Sequence, residues 1–154
     1  MTDDANPMIP CNLGRLVLVE GQDRQYIFLI EDGGEGRSFP IVIGTGEAHE
    51  IHRVLHGDDT PRPLTHQLTH NLMEALDTRM THVDIIDLRH NTFYAQITVQ
   101  NPEGDTVAVV DARPSDAIAL ALRARCGIRV AEKVLEQATH EAEQPPDLGG
   151  EESE

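Results

Sequence analysis

Residues 111–116 hold the densest group of side chains that could do chemistry. Asp111, Arg113, Ser115 and Asp116 lie within six positions, between a β-branched apolar run and a helical pattern that begins at Pro114. Carboxylates bind Mg²⁺ or Mn²⁺, and an arginine binds a phosphate through two parallel N–H bonds. Proline suits the first turn of a helix, and Ser and Asp side chains satisfy its exposed N–H groups. The segment is therefore a candidate site, with a structural Arg–Asp pair plus helix capping as the alternative.

Two further candidates precede predicted helices upstream. Glu47 follows Gly44-Thr45-Gly46, and His66 follows Thr65, which can cap its helix. An acid near a helix start can bind a metal, activate water or simply complement the helix dipole. A histidine can exchange protons near neutral pH or merely bind the adjacent loop.

Other polar residues match known site patterns less closely. A helical spacing that can bind zinc relates His49, His52 and His56, and also His66 and His70. No cysteine pair lies nearby in the sequence, however, and the HExxH motif is missing. We therefore interpret these histidines as a solvated face. Asp87 precedes a predicted hairpin, where aspartates serve either as ligands or in turns.

Five segments, in order, resemble the bifunctional nuclease family of bacteria and plants. Asp111–Ala121 is similar to the family signature. The other matching segments are Phe39–Gly44 with Glu47-Ala48, Arg62–His66, Asp87-Leu88 with Thr92–Ala95, and Val130–Glu132. The resemblance covers roughly residues 13–137. It implies a nuclease that acts on RNA and DNA.

Combined with the chemistry of the residues, this resemblance assigns roles to the candidates. Asp111 and Asp116, with Glu47, would hold Mg²⁺ or Mn²⁺. Arg113 and Ser115 would bind the scissile phosphate, and His66 would assist proton transfer. The alternative is a non-catalytic ligand-binding or oligomerisation domain in which the Asp–Arg pair is a structural lock.

The charge of the chain constrains how it can bind nucleic acid. The 154 residues carry a net charge of −15, and Lys133 is the only lysine. Phosphate binding normally depends on Lys and Arg, so a nuclease of this composition needs metal ions or high salt to offset repulsion. A high-salt cytoplasm and a GC-rich genome both account for such a composition. Residues 138–154 contain no Lys or Arg and predict an acidic disordered tail after a domain of residues 1–137.

The periodicity predicts a single α+β domain with a mixed, largely antiparallel sheet packed against helices. The predicted strands lie near residues 13–20, 26–30, 39–43, 82–89, 92–100, 106–111 and 128–130, and the helices near 47–56, 65–77, 114–125 and 132–137. No apolar run is long enough to span a membrane. Two cysteines and no signal-peptide pattern predict a cytoplasmic protein. Exposed strands favour a homodimer.

Overall fold

The computed structural model describes residues 6–143 and confirms the α+β class. Seven strands form one mixed sheet in the order β3-β2-β1-β7-β4-β5-β6, in which only β4 and β7 pair in parallel. The strands are β1 (Met8–Val17), β2 (Arg24–Glu31), β3 (Ser38–Gly44), β4 (Arg79–Arg89), β5 (Thr92–Gln100), β6 (Thr106–Ala112) and β7 (Gly127–Ala131). The helices are α1 (Thr45–His56), α2 (Thr65–Ala75), α3 (Pro114–Ala124) and α4 (Glu132–Glu143). In these residues no helix is long and apolar enough to cross a membrane.

The sheet is strongly curved around its apolar face. Phe39 of β3 stacks on Phe93 of β5 with ring centroids 5.6 Å apart, although four strands separate β3 from β5 in the sheet. The alternation predicted for β5 is confirmed, because Ala95, Ile97 and Val99 point into the core. Helix α3 is the central helix of the packed layer and buries the run from Ala117 to Ala121.

Two elements differ from their predicted extents by more than three residues at one end. Strand β1 starts at Met8 rather than Leu13, because its first residues pair with β7, a partner that local periodicity does not reveal. Pro10 is tolerated there because β2 pairs with β1 only from Cys11 onward, so the missing N–H of Pro10 does not interrupt that ladder. Helix α4 continues to Glu143, and its Ala138 is buried, so residues 138–143 are helical. The rest of the predicted tail lies outside the described residues.

Helix α2 differs from an ordinary amphipathic helix. The sequence places Leu68, Leu72, Met73 and Leu76 on one face, yet the three leucines are exposed and Met73 alone of the four packs against the core. No residue of α2 is buried. The helix therefore lies on the outside of the helical layer, and its position is set by its contacts with α3 and β4.

Candidate functional site

The first turns of three helices converge at one place on the surface. Glu47 lies in the first turn of α1, His66 in that of α2 and Asp116 in that of α3. Their side chains meet around Arg113, the N-cap residue of α3. Each helix N-terminus carries a partial positive charge and N–H groups that lack an intrahelical acceptor. This arrangement concentrates positive potential in a chain that is otherwise strongly acidic.

The four side chains form a continuous chain of hydrogen bonds, which we call the Arg113 cluster. Nε2 of His66 lies 2.8 Å from Oδ1 of Asp116. The Nε group of Arg113 donates to Oδ2 of Asp116 at 2.9 Å, and its Nη2 group donates to Oε1 of Glu47, also at 2.9 Å. The order along the chain is therefore His66, Asp116, Arg113, Glu47.

Solvent exposure increases from the imidazole of His66 to the guanidinium of Arg113. The His66 side chain is 16% exposed, whereas that of Arg113 is 65% exposed. Hydrogen bonds to Asp116 and then Glu47 raise the pKa of Arg113, so the guanidinium stays charged. Arg113 is thus the cation of the cluster that is most accessible to an incoming anion.

The side chains of the Arg113 cluster are not engaged in capping their own helices. The N-cap residues of α1, α2 and α3 are Gly44, Leu64 and Arg113, and none of them makes a side-chain capping bond. The capping roles predicted for Thr65 and for Ser115 and Asp116 are therefore not observed. At Gly44 a side chain is disfavoured, because a Cβ there would lie 2.5 Å from Oε2 of Glu47.

A cleft of about 870 Å³ opens beside the Arg113 cluster. Residues 40–44 of β3 and the β4–β5 turn form part of its walls, and the C-terminal half of α4 contributes Ala138 and Glu141. Arg113 and Ser115 line it at the start of α3. Its volume is in the range of sites that bind small molecules or a few nucleotides. The two residues predicted to bind phosphate therefore lie at the edge of the same cleft.

Asp111, which the sequence groups with Asp116, is not part of the cluster. The register pairs Asp111 with Gln96 and Gln96 with Asp84, so these side chains share one face of the sheet. That face is opposite to the one on which Ile85 and Ala95 are buried. One change of direction between β6 and α3 thus separates two carboxylates that are close in sequence.

The donor set does not fit the predicted resident metal in this arrangement. No group of three or more His, Cys, Asp or Glu side chains within residues 6–143 is arranged to hold a metal ion. Glu47 and Asp116 both bind the guanidinium of Arg113, which occupies the position between their carboxylates. A divalent ion bound by the pair would have to compete with this internal cation. The requirement for Mg²⁺ or Mn²⁺ stays a prediction.

The remaining sequence candidates lie apart from the cluster. The rings of His52 and His56 stack 4.0 Å apart on α1, and His49 is exposed. His70 lies 3.5 Å from Glu74 on its own helix. Asp87 accepts a hydrogen bond from the N–H of Leu88 and pairs with Arg89. These contacts are those expected of surface and turn residues.

A buried charge network, which local sequence patterns do not reveal, supports the cluster. Glu50 of α1 is 1% exposed and binds Arg123 of α3 and Arg53. Arg123 also donates to Gln67 of α2, so one network joins all three helices. Burial opposes ionisation of Glu50, but hydrogen bonds from Arg123 and Arg53 outweigh it and lower its pKa. Glu50 follows Glu47 by three positions, which places both on the same face of α1 about one turn apart.

Comparison with known proteins identifies the family of the domain. The model of the bifunctional nuclease domain matches residues 27–143. Two proteins of Mycobacterium tuberculosis, uncharacterized protein MT1877 and uncharacterized protein Rv1829, are each 40% identical over 122 residues, which cover 79% of this chain and 71% of theirs. The match includes Glu47, His66, Arg113 and Asp116 and extends to the end of α4. The chain belongs to the bifunctional nuclease domain family.

Proposed function

We propose that this protein is a nuclease that cleaves phosphodiester bonds of RNA or DNA at the Arg113 cluster. The observation that carries the proposal is the convergence of three helix N-termini on a histidine–carboxylate pair and an exposed arginine beside a cleft. Family membership supports the same reaction class.

The phosphate would bind between Arg113 and the start of α3. The first turn of a helix offers free N–H groups, and no side chain caps α3. Arg113 would exchange part of its contact with Glu47 and Asp116 for the phosphate oxygens, since its side chain is largely exposed. Ser115 lines the cleft next to this position and adds a hydroxyl donor. Glu47 positions the guanidinium.

His66 would transfer the proton. Its Nε2 atom bonds to Asp116, which orients the ring, and its Nδ1 atom makes no hydrogen bond within the described residues. In hydrolysis, water adds its oxygen to phosphorus, and the P–O bond to the leaving nucleotide breaks. His66 would take the proton of the water and return one to the leaving oxygen, as positioned histidines do in acid–base catalysis.

The test is cleavage of labelled RNA and single-stranded DNA by the wild-type protein with Mg²⁺, with Mn²⁺ and with EDTA. His66→Asn should reduce the rate by about 10²-fold or more, the scale of losing a general acid–base group. His56→Asn is the matched control, because His56 lies at the exposed far end of α1. Equal cleavage by the His66 variant and the control would contradict the proposal, and activity that persists in EDTA would refute the metal requirement.

A non-catalytic role is the second candidate, and one observation favours it. Two carboxylates already bind Arg113, as expected of a lock that holds α1 and α3 together. A lock predicts that the purified wild-type protein cleaves neither RNA nor DNA under any of these metal conditions.

We further propose that the protein is a cytoplasmic homodimer that pairs through β6. Its two cysteines are free thiols, which supports a reducing compartment.

Strand β6 is an edge of the sheet and exposes Val107, Val109 and Val110. The other edge, β3, contains Pro40, which weakens pairing with a neighbour. Light scattering should give the mass of a dimer for the wild type and of a monomer for Val109→Glu; a wild-type monomer would contradict the proposal.

A further inference from the structure

A second pocket lies at the opposite end of α3 from the Arg113 cluster. It has a volume of about 560 Å³ and is formed by the end of α2, the start of β4 and the turn between α3 and β7. Arg79 and Arg125 contribute guanidinium groups to its lining, while Met73 and Met80 contribute apolar surface. Cys126 also lines it. His70 and Glu74, which lie 3.5 Å apart, line it as well. The pocket therefore combines two guanidinium groups with one carboxylate, which has a histidine partner, and an apolar wall.

Neither of the two arginines has an acidic partner, as is also true of Arg15, Arg24 and Arg62 within the described residues. Neither guanidinium forms an ion pair or a hydrogen bond with any residue in the range 6–143. By contrast, Arg37, Arg113 and Arg123 are each bound by carboxylates. In a chain with a net charge of −15, two unpaired arginines at one pocket form a local positive site. An anion would fit that site better than any cation.

The backbone at Arg125 gives an independent observation. Arg125 ends α3 in the left-handed conformation with φ of 58°, at a position where glycine is favoured. Four described residues other than glycine have positive φ, and the other three are Asp77, His90 and Asn91. Asp, Asn and His adopt this conformation several-fold more often than other residues, whereas arginine does not. Residues other than glycine in such conformations cluster at active sites and ligand contacts.

We propose that this pocket binds a small phosphate monoester, with the phosphate held by Arg79 and Arg125. Two guanidinium groups suit the three oxygens of a terminal phosphate, since each donates in a planar fork. The organic part of the ligand lies against Met73 and Met80. The volume is in the range of small-molecule sites. This assignment does not depend on nuclease activity at the Arg113 cluster.

A small ligand fits better than a nucleic-acid strand. A strand that bound both ends of α3 would have to pass α2 or the surface beside it. Helix α2 contains no Arg or Lys. The pocket next to it is lined by the carboxylates of Glu50, Asp58 and Asp59, and its two arginines, Arg53 and Arg123, are both bound by Glu50. A polymer would find no continuous track of cations there.

Alkylation of Cys126 gives a readout that is specific to this pocket. Cys11 is buried, and burial raises its pKa to about 11, so it reacts slowly. Cys126 is partly exposed, and although burial raises its pKa too, it is the more accessible thiol. Iodoacetamide labelling at mildly alkaline pH, followed by peptide mass spectrometry, measures the two cysteines separately.

The experiment compares adenosine 5′-monophosphate, orthophosphate and adenosine as probes, with potassium chloride at matched ionic strength. Both phosphate probes should slow labelling of Cys126, the monophosphate at the lower concentration, while adenosine and chloride should not. Arg79→Gln/Arg125→Gln should weaken this protection by at least about tenfold, a modest loss for two charge-assisted contacts. Arg15→Gln is the matched control, since Arg15 stacks on Phe28 on β2, away from the pocket.

Two results would overturn the proposal. One is equal protection of the wild type and the double variant, and the other is protection by adenosine or chloride that matches that of the monophosphate. Because both arginines are exposed and unpaired, the double variant should fold, and its melting temperature checks this. The single variant Arg79→Gln, which leaves the α3 terminus unchanged, should show an intermediate loss of protection. Cleavage of RNA by these variants should equal that of the wild type.

Discussion

The two ends of α3 present arginines in opposite ways. At the N-terminal end, Arg113 is bound by Glu47 and Asp116, where three helix N-termini add positive potential. At the C-terminal end, Arg79 and Arg125 have no carboxylate partner within the described residues. The first arrangement holds a guanidinium in a fixed position, and the second leaves two guanidinium groups free. An anion at Arg113 would therefore have to displace carboxylate contacts, whereas an anion at Arg79 and Arg125 would not.

The largest effect is expected at the N-terminal end, from Asp116→Asn. This change removes the charge that orients His66 and binds Arg113. Cleavage of RNA should fall by about 10²-fold or more, as for the loss of a key electrostatic group. The free energy of unfolding should also fall, by about 1–2 kcal/mol, because one charge-assisted contact is weakened. Both are measured on one preparation, by a cleavage assay and by urea unfolding.

The outcome separates catalysis from a lock. Loss of stability with normal cleavage would contradict a role for Asp116 in the reaction. Loss of stability with no cleavage by the wild type would support the lock alone.

A smaller effect is expected from Glu50→Gln. Glu50 is buried against Arg123 and Arg53, so its replacement should cost about 2 kcal/mol at neutral pH. The pKa of Glu50 is lowered from its ordinary value of 4.5 in the folded protein. The unfolded chain therefore binds the proton of Glu50 more tightly than the folded protein does. The stabilisation that the Glu50 carboxylate contributes is fully present above pH 4.5, and it is lost as the pH falls through the pKa of Glu50 in the folded protein.

Urea unfolding of wild type and variant across this pH window measures the effect. The difference between the two should narrow as the pH falls. Glu74→Gln is the control, because the Glu74 side chain is 67% exposed and contributes little. A difference that stays constant with pH would contradict this account of Glu50.

A few-fold rise in the KM for RNA is expected from Gly44→Ala. The added Cβ would displace the carboxylate of Glu47 and remove one anchor of Arg113. The KM for RNA should rise about two- to fivefold with little change in kcat, since an exposed ion pair is worth about 0.2–1 kcal/mol. Gly46→Ala is the matched control, because its Cβ would meet nothing within 4 Å. If both variants behave alike, Glu47 does not position Arg113.

The smallest effects are expected when glycine replaces an arginine at either end of α3. Arg125→Gly should raise the free energy of unfolding by up to about 1 kcal/mol, because glycine relieves the left-handed strain. It should also weaken the protection of Cys126 by phosphate monoesters, by less than the double arginine variant does. Arg113→Gly should lower stability, because φ is −71° there and two ion pairs are lost. Thermal melting of both variants checks the opposite signs; destabilisation by Arg125→Gly would show that the side chain has a structural role.

The sequence by itself determined the elements that depend on local patterns. Alternation predicted β5 as Thr92–Gln100, and the structure has the same bounds. Proline at the first helical position predicted the start of α3, and its end differs by one residue. Periodicity and the chemistry of turns act between near neighbours, so these features are readable without knowledge of the fold. The five matching segments likewise identified the family.

The tertiary structure alone decided which residues meet. Glu47, His66 and Arg113 come from three separate segments, and only packing of α1, α2 and α3 brings them together. The same packing places Asp111 on the opposite face of the sheet, because register and the direction of a turn are not local properties. It also joins Arg79 and Arg125 in one pocket, although they lie on different elements. A sequence lists the groups that could do chemistry, but distances between remote residues arise only when helices and strands pack.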